Sequence, residues 1–97
     1  MYKLDNWKLV GNEFYLYTVS EDVWVYVTGR VYDHPDFIEG TRITTSRIIK
    51  VEGKFVTTSN DSTYELLEAN PEYKEWCRIH EVHIPTEEEP ISYKVSV

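Results

Sequence analysis

The sequence predicts a β-rich α+β fold: a small antiparallel sheet or partly open barrel of about five to six strands, one packed helix near residues 71–80 and a C-terminal strand. Three features carry that expectation. Aromatic and β-branched residues dominate the first third of the chain, and they favour a pleated, half-buried surface. Val51-Glu52-Gly53 separates two apolar stretches, as the closure of a hairpin does. Asn70-Pro71-Glu72 is a strong helix start. With 97 residues, 41% hydrophobic and 28% charged, the chain suits a single domain over residues 1–97 with one core. No apolar run approaches the roughly 20 residues of a membrane span.

Residues 13–19 and 23–32 read as a hairpin joined at Ser20-Glu21-Asp22. Val23, Val25 and Val27 alternate with Trp24, Tyr26 and Thr28, so valines line one face and larger side chains the other. Gly29 marks a bend or bulge. In His34-Pro35-Asp36-Phe37-Ile38-Glu39-Gly40, proline forces His34 out of helical geometry and Gly40 is free to take positive φ. That makes a loop with Phe37 as an aromatic plug. Residues 41–51 and 54–59 form the next hairpin, closed by a turn with a G1 bulge at Gly53. Pairing Lys50 with Lys54 sets Ile49 opposite Phe55 and Ile48 opposite Val56, and it places Thr45, Arg47 and Thr57 on one face with Ile43, Ile49 and Phe55. Asn60-Asp61-Ser62 turns the chain into a short strand over 63–67, which completes a meander over 41–67.

The helix begins with an Asn cap, proline at the first helical position and an acid in the first turn. Tyr73, Trp76, Cys77 and His80 follow the i, i+3, i+4, i+7 spacing of a buried stripe. Pro85 and Pro90 bracket an acidic connection. Ile91, Tyr93, Val95 and Val97 then alternate with Ser92, Lys94 and Ser96 as a final strand, which either closes the sheet or pairs with a second copy.

Seventeen acids against ten bases give a net charge of −7, which opposes general binding to the nucleic-acid backbone. The charge is uneven. Arg42, Arg47, Lys50 and Lys54 against Glu52 make residues 41–55 a local +3. Residues 64–90 carry a local −6, with acids from Glu65 to Glu89 against Lys74 and Arg78. The opening residues lack the apolar stretch of a signal peptide and Cys77 has no internal partner, so a reducing cytoplasm is expected. Cys77, His80 and His83 stand three apart, but on a continuous helix they face different ways and no fourth ligand follows, so no metal and no cofactor is expected. A hydrolase acting through His34 or His80 lacks any reaction motif, and a non-enzyme is expected.

Hydroxyls crowd the meander, and Arg47 sits beside Thr45 and Thr57 at the polar end of an apolar face. A desolvated guanidinium needs an acceptor, and arginine presents a planar fork to oxyanions such as phosphate. With Arg42, His34, Phe37 and Tyr64 near, the parts of a site for an anionic nucleotide-like ligand are present: cationic forks, hydroxyl donors and rings for stacking.

The run Gly29-Arg30-Val31-Tyr32-Asp33-His34-Pro35-Asp36-Phe37, then 40–48 from Gly40-Thr41-Arg42 through Ser46-Arg47-Ile48, then Thr57-Thr58-Ser59 through Ser62-Thr63-Tyr64-Glu65-Leu66, resembles short uncharacterised proteins of phages and prophages. The likeness spans residues 27–76 and brings no assigned activity. What it implies is a counter-defence role in the cytoplasm of a bacterial host. One form is a ligand-sequestering homo-oligomer that captures a nucleotide-derived immune signal through His34, Phe37, Arg42, Thr45, Arg47, Thr57 and Tyr64. The alternative is an acidic inhibitor that uses Glu72, Glu75, Glu87, Glu88 and Glu89 to occupy the nucleic-acid-binding surface of a host defence protein, such as a CRISPR nuclease. Neither form involves a membrane or direct contact with nucleic acid.

Overall fold

A computed structural model of the chain describes residues 1–11, 18–19 and 25–93. In chain order the elements are β1 (Tyr2–Gly11), β2 (Thr18–Val19), β3 (Val25–Tyr32), β4 (Thr41–Thr44), β5 (Ile48–Glu52), β6 (Phe55–Thr58), β7 (Thr63–Leu66), α1 (Pro71–Ile79) and β8 (Ser92–Tyr93). Six strands make one mixed sheet in the order β4-β3-β1-β7-β6-β5. Its pairings are antiparallel except for β1 beside β7. β2 and β8 form a separate parallel pair. The expected small β-rich α+β fold is therefore what the chain adopts, with an open sheet and one short helix.

The two edge strands, β4 and β5, are joined by residues 45–47 alone. Laid flat, a six-stranded sheet sets its edges about 24 Å apart at roughly 4.8 Å per strand. The link from Thr44 to Ile48 spans at most about 14 Å. The sheet must curl, and Thr45 holds the curl: its amide donates to the Val27 carbonyl at 2.8 Å and its hydroxyl accepts from the Val27 amide at 3.1 Å. Residues 41–51 are thus not one strand. They break at Thr45, whose hydroxyl and amide bind β3 instead of continuing a ladder.

Inside the curl, Leu4, Val27, Val31, Ile48, Val56 and Leu66 are buried, and Tyr73 and Cys77 bring α1 onto the same cluster. The central strand, β1, is unmarked by simple alternation. Leu4, Trp7 and Leu9 all turn inward because Asn6 and Trp7 together face the single residue Gly29, a two-to-one bulge between Asp5 and Lys8. Asn6 takes φ +49° there. Trp7 packs on the bare Cα of Gly29, as its Nε1–H donates to the Leu67 carbonyl at 3.0 Å.

Two strand pairings differ from expectation. Among the described residues the partners of β3 are β1 and β4. Of the expected partner segment, residues 13–19, Thr18–Val19 pair with β8, and residues 13–17 lie outside the described residues, as do 20–24. In the β5–β6 hairpin Glu52 faces Phe55, Val51 faces Val56 and Lys50 faces Thr57, instead of Lys50 facing Lys54. Gly53, at φ +59°, occupies the first position of a two-residue Gly53-Lys54 loop, as a type II′ turn requires, rather than the last position of a longer one. A bulge at Ile49 then lets Ile48 and Val51 both turn inward while Ile49 is exposed.

The helix starts where expected. The Asn70 side-chain oxygen accepts from the Tyr73 amide at 3.0 Å, and its Nδ2 donates to Asn6 Oδ1 at 2.6 Å. One side chain therefore caps α1 and ties it to the β1 bulge. Asn70→Ala should cost about 1–2 kcal/mol, read as a lower urea midpoint at unchanged slope, with Asn70→Ser recovering part of it. Of the expected stripe Tyr73 and Cys77 are buried and Trp76 is half-buried, but His80 is exposed. His80 is the C-cap residue, beyond the last turn that packs. The final strand is described only to Tyr93, and residues 94–97 lie outside the described residues.

Candidate functional site

The loop after β3 is built by its own polar groups. The Asp33 amide donates to Glu39 Oε1 at 2.7 Å, Gly40 takes φ +83° and donates to the Val31 carbonyl at 2.8 Å, and Thr41 Oγ1 donates to the Ile38 carbonyl. Within it the Asp36 amide donates to His34 Nδ1 at 3.1 Å, so a neutral His34 carries its proton on Nε2. The His34 ring lies 4.1 Å from Tyr2 and meets Phe37 edge-on at 4.7 Å, and Tyr2 in turn lies 5.6 Å from Tyr64. Three of the expected site residues, His34, Phe37 and Tyr64, are thereby joined through a fourth ring, Tyr2. Tyr64 is buried, whereas Phe37 is 41% exposed.

The other expected ligand residues lie elsewhere. Thr45 is buried; besides accepting from Val27, its hydroxyl donates to the Ser46 carbonyl at 2.8 Å. Arg47 is half-buried just before β5, and its carbonyl accepts from Ser59 at 2.8 Å. Thr57 shares a hydroxyl contact of 3.3 Å with Thr63 on the outer face of β6 and β7. Arg42 is also on the outer face, but four strands away, about 19 Å along the sheet.

Around Arg42 the outer face of β1, β3 and β4 has a composition unlike that of the whole chain. Lys3, Lys8, Arg30 and Arg42 are all exposed and stand against Asp5 on these three strands. Register sets Arg42 directly opposite Arg30, a like-charge cross-strand pair that by itself costs a few tenths of a kcal/mol, up to about 1. Asp5 offsets it on one side only. Its two oxygens accept from Arg30 Nε at 2.8 Å and the terminal nitrogen at 3.1 Å, and from the Tyr32 hydroxyl at 3.2 Å. The hydrogen bond to Asp5 strengthens the hold of Arg30 on its proton, and burial together with Asp5 pushes the Tyr32 phenol up. Arg42 reaches only Asn6 Oδ1, at 3.5 Å. Among the described residues neither Arg42 nor Lys8 is in an ion pair. Sequence reasoning missed Arg30 and Tyr32; the strand alternation that exposes them was visible, but their partner strands were not.

The acidic candidates Glu72, Glu75, Glu87, Glu88 and Glu89 are exposed. Glu75 is paired with Arg78, which holds its carboxyl below the usual range. Lys74 pairs with Glu68 at 3.0 Å, and Lys54 with Glu65 at 2.9 Å. A cleft of about 340 Å³ lies between these lysines and Glu87, with Trp7, Leu66 and Ala69 among its lining. Cys77 is buried, His80 stacks on Trp76 at 4.1 Å, and His83 Nε2 contacts the Glu89 carbonyl at 2.6 Å. No group of three metal-ligating side chains is gathered among the described residues, and no helix there is long and apolar enough to cross a membrane. No protein-family model, curated protein or solved structure matches the chain.

Proposed function

We propose that the chain is a binding protein that captures an anionic, nucleotide-derived small molecule on the outer face of β1, β3 and β4, lowering its free concentration as a sequestering counter-defence factor would. The observation that carries this reading is the juxtaposition of Arg42 and Arg30 on neighbouring strands. Arg30 is oriented and half-neutralised by Asp5. Arg42 keeps a planar fork toward solvent, suited to bidentate contact with a phosphate. Lys8 adds positive charge on the adjoining strand and Thr44 a hydroxyl. Tyr26 and Tyr32, on the same face of β3 as Arg30, supply surfaces on which a base can stack. The proposed site thus centres on Arg42 in place of Arg47, and no turnover is assigned to it.

The test is thermal shift and calorimetry with ADP-ribose and cyclic dinucleotides as probes. A ligand at about 100 times its dissociation constant stabilises the folded state by about 2.7 kcal/mol, which for a domain of this size raises the melting temperature by about 10–20 °C. Arg42→Ala should abolish the shift and leave the unliganded melting temperature unchanged, because the side chain is exposed. Absence of any shift at millimolar probe, or an undiminished shift in the variant, overturns the reading.

A further inference from the structure

We infer that the outer face of α1 is a docking surface for a basic amphipathic helical segment of another protein. Along this face Pro71, Glu75 and Ile79 form one i, i+4 row and Glu72 and Trp76 the next, and together they line a shallow groove of about 440 Å³ that follows the helix. Ile79 is 62% exposed at the end of a nine-residue helix whose buried residues are Tyr73 and Cys77. Trp76 is half-buried, stacked on His80 at 4.1 Å and near-parallel to Tyr73 at a ring separation of 6.5 Å. The His80 ring is also fixed, with Nδ1 at 2.8 Å from the Trp76 carbonyl. A rigid aromatic surface next to an exposed aliphatic side chain is a low-entropy anchor for a partner's apolar residues.

Charge selects the occupant. Glu72 and Glu75 rim the groove; Arg78 answers Glu75, while Glu72 has no ion pair among the described residues. A second copy docked antiparallel by two-fold symmetry about the middle of the groove would set Glu75 against Glu75, and an anionic lipid surface would be repelled by both acids. A cationic segment meets complementary charge on the rim and an apolar floor between. Nine helical residues extend about 14 Å at 1.5 Å each, room for two to three turns of a partner helix.

The test uses the full chain and a fluorescently labelled amphipathic Leu/Lys helix of about 14 residues, with an oligolysine of equal charge as control, followed by anisotropy. The Leu/Lys helix should bind, and its affinity should fall at least tenfold between about 50 and 500 mM salt, as a screened charge contact does. Glu72→Lys and Ile79→Ser should each weaken it tenfold or more; Ile79→Ser leaves the melting temperature in place because the side chain is exposed, and Glu72→Lys lowers it by only a few degrees, the lysine opposing the helix dipole in the first turn. Arg42→Ala should leave it unchanged, which separates this surface from the proposed ligand face. Equal binding of oligolysine, or indifference to both α1 substitutions, overturns the inference.

Discussion

Trp7→Ala is expected to be the most damaging single substitution in the chain, costing about 3–5 kcal/mol of a total stability that for a domain of this kind is about 5–15 kcal/mol. The indole is fully buried and meets Tyr73 of α1 at a ring separation of 6.1 Å. It also carries three links between β1 and the segment that leads into the helix. Its Nε1–H donates to Leu67, its carbonyl accepts from the Asn70 amide at 2.8 Å, and its backbone bridges Ala69. Only the first of these and the packing are lost in the alanine variant, which also leaves a cavity where sheet, bulge and helix meet. Trp7→Phe separates the two: it keeps much of the volume but deprives the Leu67 carbonyl of its donor, at about 1–3 kcal/mol. Urea denaturation followed by circular dichroism reads both values. A loss of under about 1 kcal/mol for Trp7→Ala would mean that this ring is not the junction of the core.

Gly29→Ala should be the second largest, at about 1–3 kcal/mol or more. An added Cβ would lie 2.9 Å from the Asp5 carbonyl oxygen, 3.0 Å from Trp7 Cβ and 3.2 Å from Trp7 Cα. Two of these three are main-chain atoms of the bulge, so relief requires the strands to separate. Gly53→Ala is the informative contrast. Nothing lies within 4 Å of its added Cβ, and its cost of about 1–2 kcal/mol comes from φ +59° alone. The crowding atoms, Asp5 O and the Trp7 Cα and Cβ, all remain in Trp7→Ala, so Gly29→Ala should still be costly in that background. A cost that vanished there would mean that the indole, and not the bulge backbone, excludes a side chain at position 29.

Local chemistry made α1 legible: the cap at Asn70 and the pair Tyr73 and Cys77 stand as expected. The strands over 55–58 and 63–66 were legible for the same reason, since Val56, Tyr64 and Leu66 alternate without interruption. β1 was hidden because Asn6 and Trp7 shift its phase halfway along. The break at Thr45 was hidden because nothing in the side-chain pattern shows that a threonine hydroxyl will accept a main-chain amide 18 residues away. At the candidate site the individual residue types were readable and their grouping was not. His34, Phe37 and Tyr64 meet only because β1 lies parallel to β7 and places Tyr2 opposite Tyr64. Arg42 acquires Arg30 as a neighbour only through the β3–β4 register. A count of hydroxyls likewise does not say which of them serve the chain's own backbone, and Thr45 does.

The parallel contact of Tyr2 with Tyr64 also dictates an order of events during synthesis. The strand that ends up in the middle of the sheet is made before the other strands described, yet one of its two partner strands is incomplete until Leu66 has been added. Until then a nascent chain can zip β1 to β3 and β4 but presents a long raw edge to solvent. Newly made copies crowded on one messenger are therefore most prone to stick to each other in that interval, and an agent that slows translation between residues 32 and 66 should lower the yield of folded protein more than the same delay placed later.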